Sequence, residues 1–240
     1  MARSVPAGFA LVSMTPSIEP LGDSAAIVAW RLLDEAAARR AVQNATKHLD
    51  HNRINGVIAV APAFNSLTVY YECGRLAWSE AEKWISDSLR SVPITLETPR
   101  RQLDIPVCYD LEFALDLTAV ADAHNLTTGD VMRLHSKVDY AVQMIGFSPG
   151  FPYLAGLPSQ LHTPRRASPR IQVPAGSVAI GGAQTGIYSS KSPGGWNIIG
   201  RTPVQLFDPQ RDPPCLLQTG DIIRFVPIDR QQFDDFRERT

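Results

Sequence analysis

The stretch from Gly146 to Gly200 constrains this chain most. It reads GFSPGFPYLAGLP, then TPRRASPRIQVPAG, then QTGIYSSKSPGGWNIIG. Prolines fix φ and remove backbone donors, which opposes long helices and central strands. Glycines permit φ > 0 and let another group approach the backbone closely. The same stretch carries Phe147, Phe151, Tyr153, Tyr188 and Trp196, whereas flexible linkers are polar and poor in aromatics. This combination predicts rigid, shaped loops around a surface or pocket, where binding residues tend to sit.

The 240 residues allow one large domain or two small ones. A hydrophobic share of 44% with 20% charged residues is that of a globular protein. The formal net charge is −1 and no basic block stands out, so the electrostatic footprint of a nucleic-acid binder is missing. No apolar run reaches the roughly 18 residues of a membrane span. The apolar part of MARSVPAGFALVSMTP is too short and too proline-bounded for a signal peptide. Cys73, Cys108 and Cys215 are odd in number and widely spaced, and are read as buried free thiols. No C-x-x-C or histidine-rich pairing points to a metal. Together these features predict a cytoplasmic protein without membrane or nucleic-acid partners.

Periodicity divides the chain. Residues 8–13, 25–31, 56–62, 67–72 and 92–97 read as strands. The alanine-rich segment 34–52 reads as a helix. A second helix is predicted to start at Ser79, capped by Ser79 and Glu82, with Ala81, Trp84, Ile85 and Leu89 on one face. The order β-β-α-β-β-α-β predicts a split β-α-β unit with helices covering one face of a mainly antiparallel sheet. A polar joint, TPRRQLD (98–104), separates a first domain, residues 1–98, from a second, residues 105–230. The second opens with a strand at 105–110 and helices at 116–125 and 127–136, the latter with Thr127 and Asp130 at capping-box spacing. A period-two strand follows at 138–145. Beyond it only short strands are expected, at SVAI, GIYS, NIIG, PVQLF, CLLQ and IIRFVP. Their regular spacing between Gly, Pro and Asp clusters predicts a closed or nearly closed β-barrel. The tail DRQQFDDFRERT reads as a charged, solvated end.

Several motifs bear on chemistry. Gly146–Gly150 matches G-x-S-x-G, but a nucleophile elbow needs a helix after the serine and an N–H from the next residue. That residue is Pro149, which has no N–H, so Ser148 is not read as a nucleophile. The segment instead presents Phe147, Phe151 and Tyr153. Ser192–Trp196 has two readings: a nest of backbone N–H groups facing an anion or carbonyl oxygen, or a tight barrel turn with Trp196 as a core plug. Arg165, Arg166 and Arg170 can bind carboxylate or phosphate through their planar forks, or form solvated ion pairs. Gln184 and Tyr188 can read an amide edge, or serve barrel hydrogen bonding. His135 is the histidine best placed to meet the loops. His48 and His51 end a helix, where imidazolium complements the dipole. No GxxxxGK[ST], GxGxxG or HExxH motif is present.

These residues carry a resemblance. The chain resembles the KipI / PxpB / allophanate hydrolase subunit 1 family along nearly its whole length. The matching segments include IEPLGDSA, PAFNSLTVYY, IPVCY and DVMRLHS, and above all GFSPGFPYLAGL, TPRRASPR, VPAGSVAI, QTGIYSSKSPGGWNIIGRTP and LFD. The pattern is departed from at Ser189, where proline is common, and at Asp110–Leu111, where a glycine pair is common. The resemblance implies an α+β protein, an N-terminal α/β sandwich-like domain followed by a cyclophilin-like β-barrel. It further implies the B component of an ATP-dependent 5-oxoprolinase, working with a C subunit and a separate A subunit on 5-oxoproline. ATP would sit in a site shared with the partner, with no covalent cofactor and no metal. Two other activities occur in the family: inhibition of a sensor histidine kinase, and the carboxyltransferase region of urea carboxylases. Under this resemblance His135, Arg170 and Gln184 are the candidate catalytic residues. Phe147, Gly150, Phe151, Tyr153, Arg165, Tyr188, Ser192, Gly194, Gly195 and Trp196 are candidates for binding a small amide.

Overall fold

A computed structural model describes residues 15–31, 33–91 and 101–238. The strands expected at 8–13 and 92–97 lie outside those residues. The chain forms two compact units, residues 1–96 and 97–240.

The first unit contains β1 (Ser17–Pro20), β2 (Ala25–Ala29), α1 (Glu35–His51), β3 (Val57–Pro62), β4 (Ser66–Tyr71) and α2 (Trp78–Arg90). The sheet order is β1-β2-β4-β3 and every pairing is antiparallel. Because β4 lies between β2 and β3, the β2–α1–β3 segment is a split β-α-β unit. Alternate strand residues Ala26, Val28, Leu67, Val69 and Tyr71 point into one core. There they meet Ala38, Val42, Ala45 and Leu49 of α1, and Ala81 and Ile85 of α2. Asp34 caps α1, its carboxylate accepting the Ala37 N–H at 2.8 Å, a contact of about 1 kcal/mol. Helix α2 starts earlier than the Ser79–Glu82 spacing suggests. Its N-cap is Ala77, and Glu80 accepts the Ala77 N–H at 3.0 Å. Leu76 before the cap and Ala81 after it both enter the core, so a hydrophobic staple fixes the entry.

The second unit is a closed barrel with α3 (Leu117–Ala123), α4 (Thr128–Ser136) and α5 (Arg230–Glu238). The barrel strands are β5 (Gln102–Cys108), β6 (Asp139–Ile145), β7 (Pro152–Ala155), β9 (Ser177–Gly181), β10 (Gln184–Ile187), β12 (Asn197–Arg201) and β13 (Ile222–Ile228). They close in the order β10-β7-β6-β13-β5-β12-β9. Outside the barrel, β8 (Arg170–Val173) pairs with β11 (Ser192–Gly194) as a two-stranded ribbon. The Thr127–Asp130 capping box is present, with Thr127 accepting the Asp130 N–H at 3.1 Å.

Several expectations need correction. β5 begins at Gln102, inside the polar joint, because its parallel pairing with β13 starts at Gln102 opposite Ile222. PVQLF and CLLQ form only one bridge, Phe207 opposite Cys215; the prolines around them remove ladder donors. The charged tail folds as α5, because Phe233 is buried and its ring lies 4.5 Å from that of Phe113. Of the cysteines only Cys108 is buried; Cys73 is exposed in the turn after β4 and Cys215 is intermediate. Among the described residues no helix is long and apolar enough to cross a membrane.

Candidate functional site

The Gly146–Phe151 turn is held by its own backbone. Ser148 N–H donates to Gly146 O at 2.8 Å, and Phe151 N–H to Ser148 O at 3.0 Å. Gly150 adopts φ +77°, and a Cβ there would stand 2.8 Å from that of Phe207, so only glycine fits. Phe147 adopts φ +66°, a conformation disfavoured for a bulky residue. The residue is 61% exposed.

Phe151 is the centre of an aromatic cluster. Its ring meets those of Phe147, Tyr153, Tyr188 and Trp196 edge-on, with centroids 5.0–5.6 Å apart. Such pairs add roughly 0.5–1.5 kcal/mol each beyond area burial. Strand β7 delivers Tyr153, the residue after β10 is Tyr188, and the residue before β12 is Trp196. The indole fits because Gly181 has no side chain: a Cβ there would lie about 2.5 Å from the ring. Gly194 likewise makes room for the Tyr188 ring.

The PRRASPR loop closes the other side. Asp116 carries it, with only 4% of its side chain exposed. Its carboxylate accepts from Arg170 Nη1 and Nη2, both at 2.8 Å, and from Arg166 Nη1 at 2.7 Å. It also accepts the Ile198 N–H at 2.7 Å. Burial pulls its pKa up, but the Arg170 hydrogen bond, the Ile198 N–H and the charges of Arg170 and Arg166 together hold it below the ordinary value. The Arg166 N–H donates to Gly195 O at 2.8 Å. Arg165 is exposed and lies over the Trp196 ring, 5.8 Å from its centroid.

The result is a pocket of about 180 Å³. Phe147, Phe151, Tyr153, Tyr188 and Trp196 form its aromatic walls, with Arg165, Arg166 and Pro169 on the loop side and half-buried Gly194 and Gly195 contributing backbone. Burial raises the pKa of Tyr188, although the Trp196 backbone N–H and the Arg165 charge oppose this. Tyr188 is therefore a protonated hydroxyl, a donor, near neutral pH.

Five sequence candidates do not line the pocket. Gly150 shapes the turn from behind. Ser192 lies on β11 with its Oγ buried and unpartnered among the described residues. Arg170 faces Asp116. Gln184 donates from Nε2 to Gln143 Oε1 at 3.0 Å. His135 does not meet the loops: it is fully buried in the barrel core and stacked on Phe225 at 4.5 Å. Its Nδ1 lies 2.8 Å from the Tyr109 hydroxyl and its Nε2 lies 3.0 Å from Thr185 Oγ1. Thr185 already donates to Ala179 O, so His135 Nε2 is the donor and Tyr109 donates to Nδ1. Burial drives its pKa to about 3. This is a neutral structural imidazole.

The residue that sequence reasoning missed is Asp116. It stands at the N-cap of α3, where an aspartate is expected, yet its side chain makes no cap bond. Among the described residues no group of three or more His, Cys, Asp or Glu could hold a metal ion.

A split β-α-β unit followed by a closed barrel is the fold of carboxyltransferase-like domains. The chain matches the family described as carboxyltransferase domain, subdomain C and D, over residues 16–217, and it belongs to that family, within the KipI/PxpB group. It is 37% identical to the 5-oxoprolinase B subunit of Bacillus subtilis (strain 168) over 233 residues, covering 93% of this chain and 97% of the relative. The crystal structure of TTHA0988 superposes with a TM-score of 0.75 at 36% identity over 85% of this chain, which spans 40% of that longer one. Kluyveromyces lactis urea carboxylase, at 17% identity and TM-score 0.75, shares the fold over 93% of this chain and 22% of its own length.

Proposed function

We propose that this chain is the B component of an ATP-dependent 5-oxoprolinase, which with a C subunit and a separate A subunit opens 5-oxoproline to glutamate. The observation that supports this most is the convergence of aromatic rings, glycine backbone and an arginine on one pocket of about 180 Å³. That size and chemistry suit a small lactam, whose flat ring packs against the aromatic walls. The Tyr188 hydroxyl donates to the lactam carbonyl oxygen, where negative charge develops when the amide is activated. The aromatic walls exclude water from that oxygen. The Bacillus subtilis relative is named as the B subunit of 5-oxoprolinase, and the match spans nearly both chains.

The pocket does not fit a nucleoside triphosphate. It is too small, and the sequence has no glycine-rich phosphate loop. The nucleotide would sit in a site shared with the partner subunit, apart from this pocket, and no step here passes through it. Co-expression with the partner subunits should give 5-oxoproline-dependent ATP hydrolysis. A stable complex whose ATP turnover ignores 5-oxoproline would remove this reading.

A second reading is supported by two exposed residues of the pocket lining, the positive-φ Phe147 and Arg165. Aromatic and arginine side chains are the usual anchors of protein interfaces. The barrel would then dock on the dimerisation domain of a sensor histidine kinase. Slower autophosphorylation of a cognate kinase would support it; no binding to any such domain would count against it.

A further inference from the structure

We propose that Arg165 and Arg166 form an anion subsite that receives the carboxylate of a small planar acid, with Asp116 as the positioning residue that presents them. Three arginines follow one another closely here: Arg165 and Arg166 line the pocket, and Arg170 faces Asp116. Among the described residues a single carboxylate, that of Asp116, is paired with them. Asp116 compensates one charge and is committed on all sides by two arginines and the Ile198 N–H. The loop thus keeps an excess of two positive charges next to the pocket.

That excess is placed for use. Arg165 has no acidic partner among the described residues, and its guanidinium lies over the Trp196 ring. Arg165 is exposed, so its N–H donors stay open to a carboxylate. Arg166 lines the same pocket, and its Nε is buried without a hydrogen-bond partner. Asp116 holds its guanidinium through Nη1, and the side chain stays 35% exposed, within reach of a carboxylate in the pocket. Both features ask for an anion, and the walls of Phe151, Tyr153 and Trp196 ask for a flat body attached to it.

This deepens the functional reading above, since 5-oxoproline is such an acid. The subsite itself rests on the arginines alone, and the test separates the two. Isothermal titration of the full chain would use four probes: 5-oxoproline, 2-pyrrolidinone (the same ring without the carboxylate), N-acetylglycine (a carboxylate on an open amide) and inorganic phosphate. The subsite predicts that 5-oxoproline binds at least about tenfold more tightly than 2-pyrrolidinone. Arg165→Ala should abolish that preference, and Arg165→Lys, which keeps the charge without the fork, should restore it in part. Both variants change an exposed side chain, and near-UV circular dichroism verifies the fold. Binding of N-acetylglycine without 5-oxoproline would uphold the subsite and sink the 5-oxoprolinase reading. Equal binding of the two lactams, an Arg165→Ala variant with undiminished preference, binding of phosphate alone, or no binding of any probe would overturn the subsite.

Discussion

Asp116 and Arg170 are joined by two parallel hydrogen bonds of 2.8 Å across 54 residues of sequence. The pair ties the start of α3 to the start of β8, and through Arg166 it sets the wall of the pocket. Breaking a buried pair by removing one partner leaves the other charge uncompensated. Asp116→Ala is therefore expected to destabilise the barrel unit by about 3 kcal/mol, with Arg166 adding less because its side chain is 35% exposed. Asp116→Asn keeps an acceptor for the Ile198 N–H and should lose less. Urea unfolding of the three proteins checks this order. If both variants unfold like the parent, Asp116 does not hold the loop.

Acid should act on the barrel through His135. Burial lowers its pKa from the ordinary 6.5 to about 3, so the folded chain keeps it neutral where the unfolded chain binds a proton. Its contribution to stability is complete above pH 6.5 and is lost progressively as pH falls from there toward 3. Within that window the slope approaches ~1.4 kcal/mol per pH unit from this group. His135→Gln, which does not titrate, should flatten the dependence between about pH 6.5 and 4. An unchanged slope in the variant would place the acid sensitivity elsewhere.

Two adjacent glycines should behave differently. At Gly181 a Cβ would stand about 2.5 Å from the Trp196 indole, whereas at Gly182 it would meet nothing within 4 Å. Gly182 has φ +66°, so Gly182→Ala introduces backbone strain of about 1 kcal/mol and leaves the pocket intact. Gly181→Ala forces the indole out of its seat, at about 1–3 kcal/mol, and distorts the aromatic wall. The expected result is a changed near-UV tryptophan signal and weaker ligand binding for Gly181→Ala alone. Matching spectra for the two variants would contradict this packing.

The sequence announces some of this and conceals the rest, for physical reasons. Helix α1 and strands β2, β3 and β4 follow simple periodicities because one face of each meets a common core. The aromatic loops are legible because proline, glycine and aromatic residues rarely crowd together without a shaped surface. Strands β7, β8 and β11 are not: PYLA, RIQV and SPG are short, and proline and glycine oppose strand assignment where barrel pairing or a ribbon overrides them. Helix α5 hides behind its charges, since one buried residue, Phe233, anchors it. Asp116 hides because an aspartate before a helix already has a local explanation. His135 misleads in the opposite direction: a lone polar residue suggests chemistry, and the fold supplies Tyr109 and Thr185 to satisfy it inside the core.

Phe147 separates stability from function most directly. Its φ of +66° is a strained conformation for a bulky side chain, and such strain persists where surrounding structure enforces it. With 61% of the residue exposed, its burial does not explain the strain. Its ring does meet Phe151 and Tyr188 edge-on at 5.3 and 6.1 Å. Phe147→Gly relieves the backbone and removes those contacts, two terms of about 1 kcal/mol each and of opposite sign. Stability should thus stay within about 1 kcal/mol of the parent, while binding of the small acid, or assembly with the partner subunit, falls. Phe147→Tyr keeps both ring and strain and should retain function. Thermal unfolding together with titration of the same samples tests this. A Phe147→Gly protein that binds ligand and partner as the parent does would leave the strained turn without a functional role.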